Sequence, residues 1–216
     1  MRAREWPTLL VAGNGSIHTA VKCCLTAARF VQPDGLIVSF EPLFRAENHG
    51  RALLALSVLP CDPQPLPAAG AFAPGSAVAA AAAGAFAPGS AAAAAAAAQI
   101  KVGAHSRHAN VGAALSSRLV EGGSPYVVLS ALGETAVANA VMAAAHAQHY
   151  LSTQSGRRLA VEARAAVVVK GGDQLVGVQL WVRLQPPGST GGAADAGAPN
   201  AAAAAGPSGG AMVPAA

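Results

Sequence analysis

The sequence predicts an α+β fold built on a β-α-β-α-β-β module, present once complete and once in part. Two observations carry that prediction. Shifting the 216-residue chain by 120 positions lays VAGNGSIHTAVKCCLTAARFV over ALGETAVANAVMAAAHAQHYL without a gap. Gly13, Ala20, Val21 and Ala27 recur as Gly133, Ala140, Val141 and Ala147, and Phe30-Val31 returns as Tyr150-Leu151. Self-similarity at a fixed offset marks a repeated structural unit. The second observation is periodicity: along each copy the apolar residues switch between alternation, the strand pattern, and helical spacing.

In the complete copy, residues 99–185, Gln99 to Ala104 reads as a strand and His105-Ser106-Arg107-His108 as a polar loop. Val111, Leu115 and Leu119 then recur at helical spacing until Gly122-Gly123 ends the helix. Tyr126 to Leu132 is an apolar, β-branched run and reads as a buried strand. Thr135 to His149 reads as a helix with Val137, Val141, Ala144 and Gln148 along one face, followed by a turn at Thr153 to Gly156. Leu159 to Val169 alternates apolar residues with Glu162 and Arg164, Lys170-Gly171-Gly172-Asp173 is a hairpin turn, and Val176 to Leu184 alternates again.

The partial copy, residues 1–61, opens where the second strand of the complete copy would stand, so the first strand and helix are missing. A helix over 17–30, a turn at Pro33-Asp34-Gly35 and strands near 36–44 and 51–59 remain. One helix on half a sheet leaves apolar surface open, so this block needs cover from elsewhere.

Composition separates the two blocks. Residues 62–98 contain AGAFAPGSA twice among polyalanine, and 186–216 have the same Ala/Gly/Pro character. Small side chains bury too little surface to offset chain ordering, so both read as disordered, one a linker and the other a tail. Charge is uneven as well: residues 1–62 carry six basic against five acidic residues, and 99–185 carry eight against four, with four of the six histidines. A mildly basic domain is compatible with a polyanionic partner.

Three cysteines, two of them adjacent at Cys23-Cys24, do not make a disulfide framework, and Cys24 falls on the apolar helix face as a core thiol. Pro and Gly interrupt every alanine tract, so no membrane span is expected. MRAREWPTLL carries no secretory pattern. The expected setting is intracellular, cytoplasm or nucleus, with organelle targeting left open.

Several residues now match a known pattern. IKVGAHSRHANVGAAL followed by ALGETAVANAVMAAAHAQHYL resembles the stage V sporulation protein S family, whose fold is Alba-like. That family has a Lys-Val strand, a Ser-containing loop and helix, a strand ending in Ile-Gly, and a helix with Asn-x-Ala-Val-Lys. Lys101-Val102, Ser106, Leu132-Gly133 and Ala140-Val141 match, and the partial copy keeps Gly13 and Ala20-Val21-Lys22. The helix lysine is kept as Lys22 but replaced by Met142, the asparagine position holds His18 or Ala138, and the loop lysine is His105. The resemblance implies a small dimeric nucleic-acid-binding module.

The candidate contacts follow from chemistry. Ser106 can cap a helix or bond a phosphate, Arg107 can pair with phosphate bidentately, and protonated His105 adds charge. Lys101 lies on the preceding strand. Lys22, Arg29 and His18 form a basic stripe on the polar face of the first helix. Arg157 and Arg158 precede a strand, and Lys170 and the 45–51 hairpin could reach a groove. Each has a plain alternative as a solvated polar face. The glycine turn at Gly13-Asn14-Gly15 suggests a phosphate loop, but a dinucleotide fingerprint needs glycine at position 18, where His18 stands, and the second copy reads GETA. No nucleophile, acid–base pair or CxxC appears; His146 and His149 lack further ligands for a metal. No enzyme activity, cofactor or metal is expected. The sequence points to RNA or DNA bound through phosphates with low sequence specificity, by a homodimer or an intramolecular pseudo-dimer of the two copies. A protein-interaction or assembly module is the alternative.

Overall fold

The computed structural model describes residues 6–48, 51–61, 99–170 and 173–185. The linker at 62–98 and the tail at 186–216 lie outside the described residues.

The first block opens with strand β1 (Thr8–Ala12), and helix α1 (Asn14–Val31) begins one residue later. The connecting residue is Gly13, at φ +80° and ψ 165°. That backbone region is nearly closed to any residue with a Cβ. Gly133, at the matching step of the second block, adopts φ +87° and ψ 164°. This is why GNGS and GETA share only their first residue: the turn demands one glycine and nothing else. A single 3-10 turn at Gln32–Asp34 follows α1, and Gly35 reverses the chain at φ +70°. Strands β2 (Ile37–Asn48) and β3 (Arg51–Cys61) then form a hairpin with a register shift between Arg45 and Asn48.

The second block runs β4 (Gln99–Val102), α2 (His108–Val120), β5 (Val127–Ala131), α3 (Glu134–Ser155), β6 (Leu159–Lys170) and β7 (Asp173–Leu184). The predicted order of elements holds in both blocks, and most boundaries fall within a few residues. One does not. The turn expected at Thr153 to Gly156 is helix as far as Ser155. The hydroxyls of Ser152, Thr153 and Ser155 donate back to carbonyls three or four residues earlier, and Leu151 is buried. Polar residues that suit a turn also suit a helix once an apolar anchor holds it. Gly156, at φ +63°, supplies the left-handed stop.

All seven strands join in one mixed sheet of order β1-β3-β2-β6-β7-β5-β4. Every pairing is antiparallel except β4 with β5. The main core lies between the sheet and the helices and takes Ile17, Val21 and Cys24 from α1, Leu115 and Leu119 from α2, and Val137, Val141 and Ala144 from α3. Burial pushes the Cys24 thiol up to about 11, with neighbouring Cys23 adding to the effect. Alternation along β7 sends Leu180 and Val182 into this core and Trp181 to the opposite face, where it packs on Val128 and Tyr126.

The cover that the first block needs comes from the second. β2 pairs with β6 at Ser39↔Glu162 and Phe40↔Val161, and α1 packs beside α3. Phe40 is fully buried at this junction. Glu41, 1% exposed, receives two hydrogen bonds from Arg158, at 2.8 and 2.5 Å. Phe44 meets the ring of His146 edge-on, and His146 stacks on His108 at 4.9 Å. A buried carboxylate costs several kcal/mol unless paired, so the Arg158 contact is what lets Glu41 sit inside. No helix among the described residues is long and apolar enough to cross a membrane.

Candidate nucleic-acid interface

The loop between β4 and α2 is shaped by its own hydrogen bonds. The Ser106 backbone N–H donates to the Gly103 carbonyl at 3.2 Å, and the Gly103 N–H donates to Ser106 Oγ at 2.9 Å. Asn139 on α3 donates from Nδ2 to the carbonyls of Gly103 and Ala104, at 3.1 and 3.0 Å. The loop is thus fastened to the second helix as well as closed on itself, which fixes where its cations stand. Lys101, His105 and Arg107 are exposed. Ser106 differs from expectation: Arg107, not Ser106, occupies the N-cap position of α2, and no side chain caps the helix. The Ser106 hydroxyl accepts within the turn and so shapes the loop, and its O–H is left to donate. Uncapped N–H groups at a helix start favour an anion.

His108, the first residue of α2, turns inward. Its Nδ1 is buried without a partner and its ring lies on that of His146. His146 is held neutral to below the usual histidine range, by burial first and then by His108 and His149. These imidazoles are packing groups at the α2–α3 contact. Among the described residues no group of three His, Cys, Asp or Glu side chains could hold a metal ion.

The second set of candidate residues stands on α1. His18 is half-buried, and Lys22 and Arg29 are exposed; all three line a cleft of about 910 Å3 bounded by α1, β2, β6, β7 and the start of α3. None of the β4–α2 loop residues lines it. The sequence-derived residues therefore divide into two groups on separate elements. Arg157 is exposed in the turn after α3. Arg158, paired with it in sequence, stands apart because its guanidinium is bound to Glu41. The side chain of Lys170 and the turn at 171–172 lie outside the described residues.

Sequence reasoning missed Asn139, Gln148 and the Glu41–Arg158 pair. Asn139 stands one position from where the family pattern looks for its asparagine. Gln148, expected only as a face residue, is buried and accepts the Leu159 N–H at 2.6 Å, locking the end of α3 to β6. The signal for Glu41 was present: a lone carboxylate between Phe40 and Pro42 in an apolar strand asks for a cationic partner.

Residues 99–184 form an α+β unit of order β-α-β-α-β-β whose two helices share one core with the sheet. Across this unit, residues 98–185 match the family model described as Stage V sporulation protein S (SpoVS), so the chain carries one SpoVS domain there. The family model detects no second copy in the N-terminal block. No curated protein matches the chain.

Proposed function

We propose that this chain is a non-enzymatic nucleic-acid-binding protein that holds RNA or DNA through phosphate contacts, with its two blocks acting as related modules in an internal pseudo-dimer. The observation that carries the reading is an imbalance in how the charges are used. Glu41 and Glu162 are each tied to an arginine within the fold. Lys22, Arg29, Lys101, Arg107 and Arg157 are exposed and form no ion pair among the described residues, and they outnumber the exposed acids without an ion pair, Asp34, Glu121 and Glu134. Cations left facing solvent are available to release counterions from a polyanion. The SpoVS match over 98–185 supports the same reading, as does the shared dihedral signature of Gly13 and Gly133 for the kinship of the blocks.

An electrophoretic shift series, run with DNA beside RNA, tests it. Arg107→Ala should weaken binding several-fold for either polymer, because the loop contacts phosphate and not base edges. Equal shifts for wild type and for a variant lacking both Lys22 and Arg107 would remove the reading.

A second reading has its own observation. Among the described residues β1 is an edge strand with no partner on its outer side, Leu10 on it is 63% exposed, and Phe30 on α1 is 78% exposed. An open edge beside apolar side chains suits protein association. Light scattering with and without oligonucleotide separates the two: a stable oligomer indifferent to nucleic acid favours association.

A further inference from the structure

The strands that join the two blocks pair only at Ser39↔Glu162 and Phe40↔Val161. Beyond those pairs they part. The space between Ile37-Val38 and Ala163 to Ala165 opens into the cleft of about 910 Å3, with α1 as a third wall. Its interior is aliphatic, formed by Leu25, Ile37, Val137 and Val178, and it opens past Val176, which is 75% exposed. Its rim is cationic, with Lys22 and Arg29 exposed and His18 half-buried. Glu162 also lines the cleft, but its Oε1 accepts the Arg164 Nε–H at 2.6 Å, so that carboxylate is compensated.

An aliphatic interior under a cationic rim fits a ligand with an anionic group joined to a body that gains by leaving water. Resting on the nucleic-acid reading above, we propose that this cleft takes an unpaired nucleotide of a bound strand, its phosphate on Lys22 and Arg29 and its base among the aliphatic side chains. A base in a duplex can enter only after unstacking and unpairing, which costs a few kcal/mol. The cleft therefore makes the chain prefer single strands. Of the residues that line it only His18 carries a ring, and it stands at the rim, so the base is held mainly by apolar contact that accepts any of the four, in keeping with low sequence specificity.

The test uses the full chain and fluorescence anisotropy with three probes of equal length: a single strand, the duplex of the same sequence, and a single strand of abasic sites. The first should bind about tenfold more tightly than the other two, because the duplex must unstack and unpair a base and the abasic strand has no base to bury. Thr26→Trp and Val176→Trp replace exposed residues that line the cleft, so folding is preserved and checked by circular dichroism. Each should bring the single strand down to the duplex level while leaving duplex binding unchanged. If all three probes bind alike and Lys22→Ala weakens them equally, the polymer reading stands and the cleft inference fails. If no probe binds, both fail. If adenosine monophosphate competes as well as the strand at equal nucleotide concentration, the cleft is a small-molecule site and the strand inference is overturned.

Discussion

Helices α1 and α3 begin with the same glycine step and finish in different company. On α3 the side chains of Ala136, Ala143 and Ala147 are buried, and α2 packs on this helix beside Ala143 and Ala147. The positions 120 residues earlier on α1 are Ser16, Cys23 and Ala27, and all three are exposed. The close approach of α2 depends on Gly112, where an added Cβ would stand 2.7 Å from the Ala143 carbonyl oxygen and 2.9 Å from His146 Cβ. Among the described residues no second helix takes that place on α1. Shared local chemistry sets how each helix starts, and the neighbours decide which of its faces is a core.

The largest expected contrast lies between two phenylalanines of the first block. Phe40→Ala, at the buried junction of β2 and β6, should cost about 3–5 kcal/mol in denaturant unfolding. Phe30→Ala, on the open flank of α1, should change stability by less than about 0.5 kcal/mol. Matching losses at the two sites would mean that α1 is covered.

A matched pair sharpens the same point on the helices. Ala143→Leu inserts bulk beneath α2 and should cost about 1–3 kcal/mol, while Cys23→Leu at the corresponding position should be near neutral. Calorimetry on the two variants gives the contrast directly. The glycine step should behave in the opposite way: Gly13→Ala and Gly133→Ala should each cost about 1–2 kcal/mol, because both need the same forbidden backbone region. A large difference between them would break the equivalence of the two turns.

The smallest effect is a dependence on pH. The folded state holds His146 neutral below its ordinary value of 6.5, because of burial and the neighbouring His108 and His149. As pH falls below 6.5 the unfolded chain takes up a proton that the folded chain refuses. Stability is therefore intact above that pH and declines as the pH drops toward the lower folded value. His146→Phe keeps the packing with Phe44 and should flatten the decline in thermal melts between pH 7.5 and pH 5.

These contrasts also mark how far the sequence could be read. The order of elements within each block followed from local signals: alternation in 159–169, helical spacing at Val111, Leu115 and Leu119, and glycines where the chain reverses. What joins the blocks was not local. The pairing of Phe40 with Val161, the reach of Arg158 to Glu41 and the edge-on contact of Phe44 with His146 connect residues roughly a hundred positions apart, and no periodicity encodes such contacts. The candidate site divides in the same way. Lys101 and Arg107 were legible as strand and loop cations with His105 between them, but the fastening of their loop by Asn139 was hidden, because an asparagine inside a helix gives no sign of what it will reach. The cleft beneath Lys22 and Arg29 was hidden too, since it exists only where strands from two blocks part.

The central claim is that exposed cations on α1 and on the β4–α2 loop neutralise phosphates. A salt titration of oligonucleotide affinity tests it most directly. Log affinity should fall steeply and linearly with log salt concentration, and the slope should lessen by about one for each of Lys22→Ala and Arg107→Ala. A flat salt response, or a slope that neither substitution changes, would contradict it.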